Sequence, residues 1–394
     1  MFKSHLVSRI LPVVVLAASL IACNKDDDDN TITPPDNLRT AIDYSKLTDT
    51  TTYASYFADI NKVKTVDMTP ASTQLLMFRA INTYNGTAVG TGATLDSTVL
   101  KNMFANTGNA FTDAALNSSG VNLRSIFASS LPTAEAEKER KTLESAFAAM
   151  ALTSKAVSQT AAEGKAGKLT TGTSNYLVDA KGIEWAQIIQ KSMIGGLQVD
   201  YISNVLLSDK NLALDNSKVV SGKSYTALEH NWDQIYGLLT ANPVYGAKAT
   251  ATSSGESFLG SYLWEYNKED FPKIHMALLK GRAAIVNNDP TTLKAQVAII
   301  RPALEKAIAG AALGYLGKWK TNATNDAARA HAMGEGLGFI YSLRYGKVNG
   351  GDATFSDTIL AGLVGTAPNG FWGLTNAKID AADAAIRAKF KIAN

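Results

Sequence analysis

Apolar residues recur every three or four positions along most of this chain, which is the spacing of one face of an α-helix. Residues 182–207 show the pattern most clearly, with Trp185, Ile188, Ile189, Ile194, Leu197 and Tyr201 at helical spacing. Gly195 and Gly196 interrupt this segment, and each glycine lowers helix stability by about 1 kcal/mol. We therefore expect a kink or the close approach of a neighbouring helix at these two residues.

The same period predicts helices throughout the chain. They cover residues 53–60, 72–84, 98–104, 134–160, 225–240, 273–287, 292–313, 326–345 and 377–392. Glycine-rich segments at residues 85–96, 164–173 and 347–355 are predicted loops. Alternating apolar and polar residues, typical of strands, are scarce, and no repeat of fixed length emerges. The predicted fold class is all-α, one helical bundle or two packed bundles with irregular loops, over residues 45–394.

The start of the chain has the pattern of an export signal. Lys3 and Arg9 precede an apolar run over residues 10–21, which is too short to span a bilayer comfortably. The run ends in Leu20-Ile21-Ala22-Cys23, which resembles the lipobox of bacterial lipoproteins, and Cys23 is the sole cysteine. We expect residues 1–22 to be a signal peptide and Cys23 to be lipidated. A plain secretory signal with a chance cysteine is the alternative.

The residues after Cys23 refine the expected location. Four adjacent carboxylates, Asp26 to Asp29, repel one another and keep the stretch solvated. With Lys25 they resemble the surface-export signal of Bacteroidota lipoproteins. We predict a lipidated acidic tether and linker over residues 23–44, and an outer-membrane lipoprotein exposed at the cell surface. Its lipid anchor makes the membrane one partner.

Charge excludes one class of partner. Removal of residues 1–22 takes away Lys3 and Arg9, so the formal net charge falls from +3 to +1. The basic residues are scattered rather than gathered in a stripe. Nucleic acid is therefore not an expected partner.

Two histidines lie among acids at helical spacing. Glu229, His230 and Asp233 share one predicted helix, and His331 and Glu335 share another. Side chains three or four residues apart lie on the same helix face. Two facing helices could therefore combine these five residues into a metal site, with iron or zinc as the candidate ions.

Three further residues are candidates for ligand contact. Glu184, at a helix start, could add a metal ligand, and Tyr341 and Arg344 could contact a bound molecule. Structural roles compete with all of these assignments. Glu229 also fits a capping box with Thr226, His230 and Asp233 could pair to orient two helices, and Arg344 could pair with a buried carboxylate.

Recognised catalytic motifs do not occur. Ser221-Gly222-Lys223-Ser224 precedes a helix, but Ser217 occupies the position of the first glycine that a P-loop needs. There is no His-Glu-x-x-His, no Gly-x-Ser-x-Gly and no cysteine nucleophile after Cys23. The sequence therefore assigns no catalytic residue, and an enzyme is the less favoured class.

Several segments resemble a known family. Residues 176–185, 225–237, 331–344 and 370–375 are similar to the conserved blocks of an uncharacterised Bacteroidota lipoprotein family, domain of unknown function 4856. The resemblance implies a helical, exported lipoprotein without an established activity. A more distant similarity links the chain to imelysin-like helical proteins, whose Gly-x-His-x-x-Glu motif is associated with iron uptake. Here His230 and Asp233 occupy the motif, with Leu228 in place of its glycine.

These observations lead to three functional hypotheses. The first is a non-enzymatic surface lipoprotein that binds a metal ion or a metal-containing nutrient for uptake and passes it to an outer-membrane transporter. The second is a structural or interaction lipoprotein of an envelope complex, with the same charged residues as internal struts. The third, ranked lowest, is a hydrolase acting on glycan or peptide.

Overall fold

The computed structural model describes residues 38–240, 256–366 and 368–393, and these residues are predominantly helical, which confirms the all-α fold class. Their α-helices are α1 (Tyr53–Tyr56), α2 (Thr69–Thr91), α3 (Ser97–Ala105), α4 (Ala114–Asn117), α5 (Leu123–Ile126), α6 (Thr133–Ser154), α7 (Trp185–Met193), α8 (Asp209–Leu212), α9 (Ala227–Leu239), α10 (Leu259–Tyr266), α11 (Phe271–Val286), α12 (Pro290–Thr321), α13 (Asp326–Ser342), α14 (Ala353–Leu360) and α15 (Asn376–Phe390). The predicted signal peptide, Cys23 and the acidic residues Asp26 to Asp29 lie outside the described part.

One hairpin accompanies the helices. Strands β1 (Gly167–Thr171) and β2 (Ser174–Val178) pair antiparallel, with Leu169 opposite Tyr176. The hairpin includes most of the predicted loop 164–173, because its β-branched threonines suit a strand and Gly172 takes the positive φ of the turn. Leu177 and Val178 are buried and anchor the hairpin to the core.

The longest helix organises the core. α12 contacts α10, α11, α13 and α15, and α13 in turn packs on α7. Glycines allow the close approach of α13 to α7, since a Cβ on Gly338 would lie 2.6 Å from the Cβ of Lys191. This packing places the start of α7 beside the middle of α13.

The two glycines after α7 lie where neighbouring elements approach most closely. The chain there forms π-helical turns at Ile194–Val199 and Tyr201–Leu206. A Cβ on Gly195 would lie 2.2 Å from Ser342 Oγ, and one on Gly196 would lie 2.3 Å from the Phe127 ring. The expected close approach is confirmed.

Several boundaries differ from the sequence prediction. α2 continues to Thr91, through much of the predicted loop 85–96, because its buried face extends to Asn85 and Ala88. α14 begins at Ala353, where the Asp352 side chain accepts from the backbone N–H of Phe355. α10 was not predicted. No helix of the described residues is both long and apolar enough to cross a membrane.

The helical domain also begins earlier than predicted. Residues 39–44, assigned to the tether from sequence, contact the domain directly. Ile42 exchanges two hydrogen bonds with the Asn287 side chain, and Arg39 pairs with Glu229. These bonds join positions more than 180 residues apart, so no local sequence pattern indicates them.

Candidate functional site

Glu229 lies in a buried ion-pair network that begins at the N-terminus of α9. The capping box is confirmed, because Thr226 accepts from the Glu229 N–H and Glu229 accepts from the Thr226 N–H. The same carboxylate accepts from Arg282 at 2.8 Å and from Arg39 at 2.7 and 2.8 Å. We call Arg39, Tyr53, Glu229, Asp233 and Arg282 the α9 cluster.

Asp233 completes the α9 cluster. Its Oδ1 accepts from Arg282 Nε at 3.0 Å and from the Tyr53 hydroxyl at 2.8 Å, and its Oδ2 accepts from the Asp67 N–H. Arg282 and Asp233 are 0% exposed and Glu229 is 1% exposed. Glu229 is therefore paired with both arginines and Asp233 with Arg282, in a buried environment.

The two acids respond differently to that environment. Burial raises the pKa of Asp233 to about 6, although Arg282 and Tyr53 act to lower it. Burial also acts to raise the pKa of Glu229, but Arg282 and Arg39 outweigh it and the pKa falls to about 2. The geometry is that of an internal strut between α9, α11 and the start of the domain.

His230 does not join the α9 cluster. Its ring stacks on Tyr225 with centroids 4.5 Å apart, and its Nδ1 lies 3.3 Å from Gln234 Nε2. It lines an open cavity of about 430 Å³ together with Asp67 and Lys223. Burial lowers the pKa of His230, with Asp67 acting in the opposite direction. The imidazole therefore faces a different environment from the acids beside it in sequence.

His331 lies between two carboxylates. Its Nδ1 is 2.8 Å from Glu184 Oε2, and its Nε2 is 3.7 Å from Glu335 Oε1. Glu335 also pairs with the buried ammonium of Lys191 at 3.2 Å. We call Glu184, Lys191, His331 and Glu335 the α13 cluster. The sequence analysis identified Glu184, His331 and Glu335 as candidates and missed Lys191.

The pairing sets the charge of the α13 cluster. Burial acts to lower the pKa of His331, but the contact with Glu184 outweighs it and raises the pKa. Burial raises the pKa of Glu184 and lowers that of Lys191. With His331 protonated, two carboxylates face two cations, so the ionised cluster carries no net charge.

A polar cavity opens beside this cluster. It has a volume of about 250 Å³ and is lined by residues of α2, α6, α7, α13 and β2. Glu184 and His331 line it, and the Tyr176 ring stacks on the His331 ring with centroids 4.2 Å apart. The His331 side chain remains 29% exposed. We call this space the His331 cavity.

Asn85 is the unusual residue of the His331 cavity. It is 1% exposed, and among the residues that the structure describes neither its amide nitrogen nor its amide oxygen has a hydrogen-bond partner. Buried polar groups almost always have partners, because leaving one unpaired costs about 1–3 kcal/mol. The sequence analysis missed Asn85, since it lies in a predicted loop and carries no motif.

Tyr341 and Arg344 lie in a third network. Arg344 donates to Glu139 at 2.7 Å and to Asp357 at 2.6 Å, and the Tyr341 hydroxyl also donates to Glu139. Tyr341, Arg344 and Glu139 are buried. Of the two roles considered for Arg344, the structure shows pairing with a buried carboxylate.

The five residues expected to form one metal site belong to separate networks. Among the residues that the structure describes, no group of three or more His, Cys, Asp or Glu side chains is arranged to hold a metal ion. Glu229 and Asp233 are turned inward because the guanidinium of Arg282 satisfies both, whereas His230 stacks outward on Tyr225. His331 and Glu335 have Glu184 and Lys191 as partners instead.

Comparison with known proteins identifies one family. Residues 53–393 match the family model described as "Domain of unknown function (DUF4856)", so the chain belongs to that family. No curated protein and no solved structure matches the chain. The similarity to imelysin-like proteins stays a prediction.

Proposed function

We propose that this member of the DUF4856 family is a lipid-anchored, non-enzymatic protein of the outer membrane that binds a small ligand in the His331 cavity. One observation carries the proposal. Asn85 lines the cavity, and its buried carboxamide lacks a hydrogen-bond partner in the described part of the chain. A ligand that pairs with this group would remove the cost of leaving it unsatisfied.

The surroundings of Asn85 support a binding role. Asn82, Asn85, Gly86 and Val89 follow the spacing of one helix face and line the cavity from α2. A Cβ placed on Gly86 would meet no atom within 4 Å, so the helix leaves open space there. A concave site with a few convergent polar groups is typical of small-molecule binding.

A metal ion is the ligand expected from the sequence, and it remains the competing candidate. The α9 cluster does not favour it, because two guanidinium groups already occupy the carboxylates and would repel a cation. In the α13 cluster, a metal would have to displace Lys191 from Glu335 or His331 from Glu184. We therefore favour a ligand that adds to the existing pairs.

The second candidate is the structural or interaction lipoprotein. The dry, fully paired α9 cluster favours it, since an internal strut of this kind suits a rigid scaffold. The two candidates differ in the role of the unpaired Asn85 amide. In a scaffold the amide only lowers stability, whereas in a binding protein it contacts the ligand.

The proposed location and the proposed role in transport rest on the sequence alone. The lipobox-like residues before Cys23 and the acidic stretch after it support lipidation and surface exposure. Transfer of the bound ligand to an outer-membrane transporter is part of the proposal. Metabolic labelling with a fatty acid should mark the native chain and not its Cys23→Ser variant, and labelling of that variant would contradict the anchor.

The binding role can be tested on the mature chain, residues 23–394, made with Cys23→Ser so that it is not lipidated. Small polar metabolites and metal ions alone are screened for an increase in melting temperature. The Gly86→Leu variant fills the His331 cavity, and Gly90→Leu is its control, because Gly90 lies one turn away on α2, outside the cavity, with no atom within 4 Å of its Cβ position.

We expect the screen to find compounds that raise the melting temperature of the parent and Gly90→Leu chains but not that of Gly86→Leu. Binding that survives in Gly86→Leu would contradict the cavity as the site. A screen without any stabilising compound would favour the scaffold.

A further inference from the structure

Five carboxamide residues line the His331 cavity. Asn82 and Asn85 come from α2, Asn175 comes from β2, and Gln187 and Gln190 come from α7. A carboxamide offers two N–H donors and an acceptor oxygen without carrying a charge. This lining differs from that of the α9 cluster, which is built from charged groups.

Lys191 orients the two glutamines. Its ammonium donates to Gln187 Oε1 at 2.9 Å and also to Gln190 Oε1. With both oxygens held by Lys191, the amide NH₂ groups are the parts left to meet a ligand. The cavity wall therefore contains N–H donors from α7 and the Asn85 side chain, whose buried carboxamide atoms have no partner among the described residues.

One acceptor, at the start of α7, completes the pattern. Glu184 Oε2 is paired with His331, which leaves Oε1 to accept a hydrogen bond. A hydroxyl group both donates and accepts, so adjacent hydroxyls can use N–H donors and a carboxylate oxygen together. The cavity has no unpaired charge to attract a permanently charged ligand, because Glu184 is paired with His331 and Glu335 with Lys191.

Part of the lining is apolar. Val89, Met150 and Leu177 offer carbon surface beside the polar groups. A volume of about 250 Å³ corresponds to roughly eight waters at about 30 Å³ each. This is small for a ligand pocket, since drug-sized ligands occupy about 300–1,000 Å³. A single sugar ring, with hydroxyls at its edge and C–H groups on its faces, fits both the size and the mixed lining.

From these features we infer that the His331 cavity binds a neutral, hydroxyl-rich ligand of the size of one sugar ring. The inference rests on the proposed binding function and names its ligand class. Asn85 is the central recognition residue, and Gln187, Gln190 and Glu184 supply the surrounding hydrogen bonds.

The test is binding of defined sugars to the mature chain carrying Cys23→Ser. The neutral probes are glucose, galactose, mannose and N-acetylglucosamine. The charged probes are glucuronate and glucosamine, and zinc and ferrous chloride serve as metals alone. Saturation-transfer NMR and titration calorimetry report binding to the parent chain and to three variants, Asn85→Leu, Gln74→Leu and the cavity-filling Gly86→Leu.

The variants separate recognition from folding. Asn85→Leu replaces the unpaired amide by an apolar group of similar size. Gln74→Leu is the matched control on the same helix, because Gln74 is equally buried but donates to Leu197 O at 2.9 Å, away from the cavity. A neutral sugar should bind the parent chain and Gln74→Leu alike, and at least about tenfold more weakly to Asn85→Leu.

Two results would overturn the ligand class. If only a charged sugar or a metal alone binds, and Asn85→Leu or Gly86→Leu removes that binding, the cavity is a binding site but the neutral-sugar inference is wrong. If a neutral sugar binds all variants equally, it does not bind in this cavity. The broader screen of metabolites against Gly86→Leu decides the proposed function separately.

Discussion

The α9 cluster and the His331 cavity were both indicated by the same sequence pattern, a histidine with an acid three or four residues further on. The two regions have different structures. In the α9 cluster both acids turn inward, Glu229 to two arginines and Asp233 to one of them, and the histidine lies apart. In the α13 cluster the histidine is the centre and both acids contact it. The second lies beside Asn85, whose two buried amide atoms both lack a partner among the described residues.

The difference shows that acid–histidine spacing does not by itself define a metal site. A carboxylate takes the partner that best compensates its burial, and a guanidinium with five donors compensates two carboxylates at once. A buried group without such a partner is the more informative signal. On this view, the α9 cluster supports the fold and the His331 cavity supports binding.

Arg282→Met should have the largest effect on stability. It leaves Glu229 and Asp233 buried without Arg282 and should lower the free energy of unfolding by about 3–5 kcal/mol, measured by urea denaturation. Asp233→Asn in the same chain should restore part of this loss, because it removes one of the two uncompensated charges. A loss below about 1 kcal/mol would contradict the structural role of the cluster.

A surface lysine provides the control for this change. Lys273 pairs with Glu269 and Asp270, but its side chain is 54% exposed. Lys273→Met removes the same charge from the neighbouring part of α11 and should change the free energy of unfolding by less than about 1 kcal/mol.

Replacing a glycine by alanine should lower the free energy of unfolding at the α9 cluster and raise it at the His331 cavity. A Cβ on Gly281, next to Arg282, would lie 2.0 Å from the buried Trp232 ring, so Gly281→Ala should destabilise by about 1–3 kcal/mol. Gly86→Ala adds a methyl group to open space in the middle of α2 and should stabilise by about 1 kcal/mol. Thermal unfolding of both variants checks this, and destabilisation by Gly86→Ala would contradict the open cavity.

The contributions of His331 and His230 to stability should change with pH in opposite directions. These effects should be smaller than those of the substitutions above. The pKa of His331 is raised in the folded chain, so its stabilising contribution is present below its ordinary pKa of about 6.5 and is lost as pH rises through the folded value. Relative to His331→Gln, the parent chain should therefore lose stability as pH rises. The charged groups that face this ring are Glu184, Glu335 and Lys191.

His230 should show the reverse trend. Its pKa is lowered in the folded chain, so protonation opposes folding and stability falls as pH drops below about 6.5. Relative to His230→Gln, the parent chain should gain stability as pH rises, with Asp67 and Lys223 as the nearby charges. Melting temperatures of the parent and both variants between about pH 5 and pH 8 test both trends. Parallel trends for the two histidines would contradict the assigned environments.

Local sequence patterns predicted much of the fold and part of the site. The capping box of Thr226 and Glu229, the close packing at Gly195 and Gly196, and the pairing of His331 with Glu335 all follow from neighbours within four residues. Glu184, which the sequence named as a possible ligand-contacting residue, lies beside His331, but this contact crosses 147 positions and no local pattern indicates it.

The missing parts depend on long-range contacts. Arg282 and Arg39 reach Glu229 from 53 and 190 positions away, so the sequence pattern around Glu229 cannot show that its carboxylate is already paired. Asn85 was missed because glycine and threonine nearby favour a loop, whereas packing against the core extends α2 through it. An unpaired amide becomes visible only when its surroundings are known.

The stability of Asn85→Leu without any ligand tests the central claim most directly. An amide kept for binding is a cost to the empty protein, so its replacement by leucine should leave the free energy of unfolding unchanged or increase it. Gln74→Leu, which breaks a buried hydrogen bond on the same helix, should lower it by about 1–3 kcal/mol. If Asn85→Leu is destabilised as much as Gln74→Leu, Asn85 supports the fold and the His331 cavity is not a binding site.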